Sequence, residues 1–255
     1  MGQNVAVRGY DDSSYGQGFA DVYDDWYAGI TDIDTTVATL TTLANGGRVL
    51  ELGVGTGRLA VPLATSGLEV HGVDSSPAML ERMAAKPGAE AVQVLLGDMA
   101  VDLPEGPFAL VFIAYNTFWN LLTEQRQRMC FAEVARRLTD DGVFVVEALV
   151  PDPTLHEKAA QVGVRSIGVD RVVLSVTSAT VEDQRADGQF VDITEAGGIR
   201  LRPWSIRWVT IEQLDEMAGN AGLVCAERWE AFDRSPFSPT SNRHVSVFRR
   251  QPSQL

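Results

Sequence analysis

Between positions 31 and 150 the chain alternates short, nearly continuous apolar runs with segments whose apolar residues recur at helical spacing. "TDIDTTVATLTTLAN" (31–45) predicts an amphipathic helix ending before Gly46 and Gly47, and "RVLELG" (48–53) a first strand. "GRLAVPLATSG" (57–67) reads as a helix and "EVHGVD" (69–74) as a second strand. "SPAMLERMAAK" (76–86) is a helix with Ser76 as N-cap and Pro77 in its first turn. "AVQVLLGD" (91–98) and "FALVFIAY" (108–115) are the third and fourth strands. "TEQRQRMCFAEVARRL" (123–138) is a helix capped by Thr123, and "GVFVVEAL" (142–149) is the fifth strand. Apolar strands separated by helices predict a doubly wound α/β fold, with a parallel sheet covered on both faces.

After Pro151 the pattern changes. The runs 171–183, 189–196 and 199–209 alternate like strands, and short polar turns join them, which predicts an antiparallel insertion. "TIEQLDEMAGNAG" (210–222) is a helix in which Thr210 and Gln213 have capping-box spacing. "LVCAERWEAF" and "HVSVFRR" then return to the sheet, for seven strands in all. The expected organisation is an N-terminal lid (1–30), an α/β core (31–150), a β-rich cap (151–209) and a closing segment that completes the sheet (210–255).

The net charge of −13 argues against nucleic acid as a partner, because phosphate backbones would repel the chain. No apolar run is long enough to span a membrane, and the start of the sequence carries no secretory or transit pattern. Cys130 and Cys225 read as reduced core thiols, which points to a cytoplasmic protein. His71, His156 and His244 are too scattered for a transition-metal site, so no metal is expected. His71 reads as structural. His244 opens a late strand and is either a packed residue or a general base.

The chemistry concentrates in "VLELGVGTGRLAV", where Gly53, Gly55 and Gly57 bridge a strand and a helix. Such a turn lets a ligand approach the backbone. No G-K-[ST] follows, which disfavours nucleoside triphosphates. Arg58 occupies the third-glycine position of a dinucleotide fingerprint. S-adenosyl-L-methionine (SAM), which has no pyrophosphate, remains. Asp74 ends the second strand, where a carboxylate can accept from ribose hydroxyls. Asp98 ends the third and could accept from an adenine amino group while Met99 packs on the ring. A turn residue or an N-cap fits Asp98 as well.

"VLELGVGTGRL", "VHGVDSSPAML", "LLGDM", "FALVFIAYNTFWNLLT" and "LTDDGVFVVEALVPD", in that order, resemble the class I SAM-dependent methyltransferases over positions 20–150. The resemblance implies that Glu51 and Gly53 lie near the methionine amino group, while Gly55 and Gly57 leave room for the ligand. It implies that Asp74 holds the ribose, that Asp98 and Met99 frame the adenine, and that Tyr115 to Phe118 flank the sulfonium methyl. The family often has two glycines before its fifth strand; here a turn at 140–142 supplies only Gly142.

The lid segment "YDDSSYGQGFADVYDDWYAG" (10–29) carries Tyr15 and Tyr23, eight positions apart, so both would face one pocket if the segment is helical. Their hydroxyls would meet the SAM carboxylate or the acceptor, whereas Trp26 reads as a docking aromatic. The arrangement resembles antibiotic-pathway methyltransferases, including amino-sugar and lincosamide N-methyltransferases. On that resemblance Tyr15, Tyr23 and Phe118 orient a small-molecule amine, and Trp204, Arg207 and Trp208 shape its pocket or simply brace a hairpin. Three other readings stay open: an O-methyltransferase with a general base, a nicotinamide-dependent oxidoreductase, and a SAM binder without turnover. A homo-oligomer joined through the cap strands is also compatible.

Overall fold

The computed structural model describes residues 7–151 and 160–251. Five parallel strands form first: β1 (Val49–Leu52), β2 (Val70–Asp74), β3 (Val92–Leu96), β4 (Phe108–Ile113) and β5 (Leu138–Leu149). Of two later strands, β11 (Arg243–Arg250) joins antiparallel beside β5, and β10 (Leu223–Trp229) pairs antiparallel with β11 at the edge, so it runs the same way as the first five. The resulting order is β3-β2-β1-β4-β5-β11-β10. The chain thus crosses outward twice from β1, and the crevice between the two directions opens at the C-terminal strand ends, where ligands bind in such sheets.

Period-2 alternation sends successive residues to opposite faces. Leu50, Leu52, Val111 and Ile113 meet Phe118, Phe131 and Phe144 in one core layer, and Val49, Leu110, Phe112 and Val145 meet Leu40, Leu63 and Met83 in the other. α3 (Ile33–Ala44), α4 (Ala60–Thr65) and α5 (Pro77–Ala84) precede α6 (Glu124–Arg137) and α7 (Ile211–Asn220) in the chain. The expected caps form: Ser76 accepts from Met79 N at 3.3 Å, Thr123 from Arg126 N at 3.2 Å, and Thr210 and Gln213 close a full capping box. Coverage of the sheet is incomplete at one edge, where Gln93 to Leu96 of β3 are exposed.

Two details differ from expectation. Residues 140–142 lie inside β5, in the stretch where the β4–β5 register slips between Phe108↔Leu138 and Leu110↔Val143, so Gly142 belongs to an irregular ladder and not to a free turn. The antiparallel sheet has four strands, β6 (Gln161–Ile167), β7 (Arg171–Thr180), β8 (Arg185–Thr194) and β9 (Gly198–Arg207). β6 has no buried residue, so no face of it packs into the core. Its Val162, Val164 and Ile167 are exposed, as are Ile199 and Leu201 of β9.

His244, in β11, is buried with its Nδ1 2.9 Å from Ser246 Oγ. Burial pushes its pKa down to about 3, and Arg228 adds to the effect. Above the ordinary pKa of 6.5 the ring is neutral whether the chain is folded or not. As pH falls from there toward 3, the unfolded chain takes a proton that the folded one refuses, and stability is lost by on the order of 3–5 kcal/mol. His244→Gln should therefore flatten the fall of Tm between pH 7 and pH 4 by roughly 5–10 °C. Identical Tm–pH curves for the two proteins would refute this.

Candidate active site

Gly53, Gly55 and Gly57 all take positive φ, at 72°, 55° and 74°. A Cβ at Gly53 would overlap Thr117, which follows β4, whereas one at Gly55 would meet only the Gly53 carbonyl oxygen, at 3.9 Å. Gly55 thus leaves backbone bare toward the crevice, and its N–H donates to Asp74 Oδ2 at 2.8 Å. Gly57 has a different task. Its missing side chain makes room for Met83 and Val61, so it packs helices and does not line the crevice.

The crevice is narrow, with about 640 Å³ of space only when its open mouth is counted. Tyr15, Tyr23, Gly53, Gly55, Asp74, Asp98 and Met99, all singled out in the sequence, line it. Asp74 Oδ1 accepts from Ser76 N at 2.9 Å, so this carboxylate braces the loop on one side and the entrance to α5 on the other. Asp98 is held by Arg126, whose Nη2 lies 2.8 Å from its Oδ1, and the same nitrogen reaches Asp12 of the lid at 2.9 Å. Thr117, within the stretch expected beside the sulfonium methyl, also lines the crevice, as do Arg126, Asn120 and Leu121, which the sequence did not mark as site residues.

The lid is two short helices, α1 (Ser14–Phe19) and α2 (Tyr23–Trp26), not one continuous helix. Tyr15 and Tyr23 still reach the same crevice, because the bend between the helices replaces the second helical turn. Thr56 of the glycine loop donates to Asp24 at 2.6 Å, and Lys86 pairs with Asp24 at 2.8 Å. Asp21 pairs with Arg200 and Arg202 of β9. Trp26 docks on the smaller sheet, edge-on to Phe190 and 4.7 Å from the Arg165 guanidinium. The lid is therefore fastened to both the core and the cap.

Glu51 and Arg58 carry the most informative chemistry. Glu51 is only 4% exposed, and its Oε2 has no partner among the described residues. Burial pushes its carboxyl up to about 8, against the pull of Arg58. Arg58, half-buried, has two unpartnered buried nitrogens, Nε and Nη1. Tyr23, pushed up to about 12 by burial, also feels the Arg58 charge. An isolated buried charge is costly, so the unsatisfied atoms of Glu51 and Arg58 want partners. Neither group lines the crevice, but both lie within electrostatic reach of Tyr23, which does. The α-amino and α-carboxylate groups of an amino-acid ligand would satisfy both. Arg58 appeared in the sequence only as the residue that spoils a dinucleotide fingerprint.

Several expected residues lie elsewhere. Phe118 is fully buried and packs edge-on to Phe131 in the core, so its ring does not reach the crevice. Tyr115 faces a neighbouring cleft with Glu147. Trp208 is a core residue, and Arg207 is tied to Gln127, Glu124 and Gln184. Trp204 packs over Gly188, outside both clefts. The physical reason is common to these cap residues: β9 turns this part of its surface toward α6 and the lid. His71 is buried against Phe108 and close to Glu69, a structural placement. His244 lines neither cleft, and His156 lies outside the described residues. Among the described residues no three His, Cys, Asp or Glu side chains converge to hold a metal ion, and no helix is long and apolar enough to cross a membrane.

Comparison with known proteins bears on this geometry. A family model described as "Methyltransferase domain" matches residues 49–142. The structure of the CcbJ methyltransferase from Streptomyces caelestis is 38% identical, with a TM-score of 0.85, over 95% of this chain and all of that one. The cypemycin N-terminal methyltransferase of a Streptomyces species is 28% identical over 214 residues, 81% of this chain and 84% of the relative. The sugar N-methyltransferase KedS8 from Streptoalloteichus sp ATCC 53650 shares the fold at 20% identity, with a TM-score of 0.67 over 97% of each chain.

Proposed function

Because this chain belongs to the class I methyltransferases, which use S-adenosyl-L-methionine as methyl donor, we propose that it methylates an amine nitrogen of a small natural product. Antibiotic biosynthesis is the setting this reading favours, with lincosamide-type acceptors among the candidates. The observation that carries it is the crevice roofed by Tyr15 and Tyr23, with the partly unpartnered Glu51 and Arg58 buried within electrostatic reach of Tyr23. When bound, SAM supplies a methyl group already activated on a sulfonium.

The chain's own residues then have positioning work to do. Glu51 receives the donor's ammonium, and Arg58 with Tyr23 receives its carboxylate. Gly53 and Gly55 admit the ligand to the backbone, and Asp74 accepts from the ribose hydroxyls. Asp98 and Met99 frame the adenine, with Arg126 fixing the Asp98 carboxylate. Tyr15 and Tyr23 roof the donor and exclude water, and aromatic faces suit both a sulfonium and an ammonium.

The histidine that could have served an alcohol acceptor as general base, His244, is unfit for that role. It is buried, bonded to Ser246 and away from both clefts. The relatives whose names specify the acceptor atom methylate nitrogen. Incubation with trideuteromethyl-labelled SAM and a panel of secondary amines and matched alcohols tests the reading. Label on an amine, located by mass spectrometry, is the expected result. Label only on alcohols, or none while S-adenosylhomocysteine still binds, would overturn it.

A further inference from the structure

A second cleft, of about 870 Å³ with its open mouth, lies at the C-terminal ends of β4 and β5 and the start of β11. Ile30, Tyr115, Glu147, Glu230, Asn242 and Arg243 line it. Glu147 is 8% exposed, yet it borders this open space. Its Oε2 accepts from Tyr115 N at 2.6 Å, and among the described residues no donor meets its Oε1. Glu147 thus gives one oxygen to the backbone and keeps the other for a partner that enters the cleft.

The cleft adjoins the donor crevice. Glu51 and Glu147 lie on the same sheet face, since Glu51 pairs with Phe112, Phe112 with Val145, and Glu147 is two residues further along β5. Two strand spacings of about 4.8 Å therefore separate their strands laterally. Arg58 is within electrostatic reach of Glu51 and Glu147 alike. An aromatic wall joins the two spaces. The Tyr15 hydroxyl bonds the Tyr27 hydroxyl at 3.0 Å, and the Tyr27 ring meets Tyr115 edge-on at 6.2 Å. Tyr115 itself holds φ at 54°, an unusual conformation that its N–H bond to Glu147 helps to fix.

We infer that this cleft is the acceptor site, and that Glu147 Oε1 binds the acceptor as a cationic ammonium and takes its proton. The inference rests on the methyltransferase reading and deepens it. The proton passes from nitrogen to Glu147, which leaves a lone pair on nitrogen and a neutral carboxylic acid. That lone pair forms the bond to the methyl carbon, the electrons of the broken carbon–sulfur bond stay on sulfur, and Glu147 later loses its proton to water. Burial raises the Glu147 carboxyl above its ordinary range, which suits a proton acceptor, while the Tyr115 N–H, Arg58 and Arg243 restrain the rise. Glu230 adds a second carboxylate, and Ser241 donates to it at 2.8 Å. The acceptor class is thus a small secondary or primary amine that arrives protonated, drawn also by the acidic surface of the chain.

Calorimetry of the full chain saturated with S-adenosylhomocysteine at pH 7 tests this, with prolinamide as the cationic probe and N-acetylprolinamide as its neutral counterpart. The cation should bind at least about tenfold more tightly. Glu147→Gln, which keeps an oxygen for Tyr115 N, should erase that preference and leave S-adenosylhomocysteine binding unchanged. Asn242→Arg, an exposed change that adds positive charge to the same cleft, should weaken the cation alone. No preference in the wild type, or an undiminished one in Glu147→Gln, would overturn the inference. A chain that does not bind S-adenosylhomocysteine at all would overturn the donor reading with it.

Discussion

Arg58→Met should weaken S-adenosylhomocysteine binding by about a hundredfold or more, on the scale of roughly 3 kcal/mol for removing a charge-assisted hydrogen bond from a buried site. Methionine keeps the length and apolar bulk of the side chain and removes the guanidinium. Two consequences add up. The ligand's carboxylate loses its cationic partner, and Glu51 loses the positive charge that opposes its desolvation. Its carboxyl then rises further, so it meets the ligand's ammonium more often as a neutral acid. Arg58→Lys should restore little, because a point charge on a flexible stem does not reproduce the planar fork aimed by Nε and Nη1. Calorimetry on the three proteins measures the effect; equal affinities would show that the unpartnered nitrogens of Arg58 do not serve the ligand.

Asp74→Ala should lose both ligand affinity and stability. In the folded chain its two carboxylate oxygens accept from Gly55 N and Ser76 N. Alanine leaves both backbone donors unpaired, at about 1–3 kcal/mol each, so Tm should fall by roughly 5–15 °C. The ribose hydrogen bonds go as well, and affinity for S-adenosylhomocysteine should drop by about two orders of magnitude. Asp74→Asn separates the two roles: its single carbonyl oxygen satisfies one backbone donor, so Tm should recover in part while affinity stays low. A full-affinity Asp74→Ala protein would remove Asp74 from the ligand site.

The two groups differ in how legible they are in the sequence. Asp74 ends a strand two segments after a glycine loop, and period and punctuation suffice to place it. Arg58 sits in that loop as an ordinary helix-compatible residue, and nothing in its spacing says that two of its nitrogens lack partners. Phe118 shows the opposite failure. Its position after β4 is next to the crevice, but the Thr117–Asn120 turn rotates its ring into the aromatic core with Phe131. Tyr115 and Glu147 come together because β4 and β5 are neighbours in the sheet, although 32 positions separate them in the chain.

Local pattern alone determined the order of strands and helices in the α/β core, the caps at Ser76, Thr123 and Thr210, the glycine loop and the acidic strand ends. These depend on residues within a few positions of one another, where dihedral preference and periodicity act directly. The tertiary structure decided the rest: the exposed strand β6, the bent lid, the inward turn of Phe118, the unfinished charges of Glu51 and Arg58, and the second cleft around Glu147. Each of these is set by which distant surfaces exclude water from a group and which leave it without a partner. Burial and hydrogen-bond satisfaction are properties of the packed chain, and the sequence carries them only through the fold.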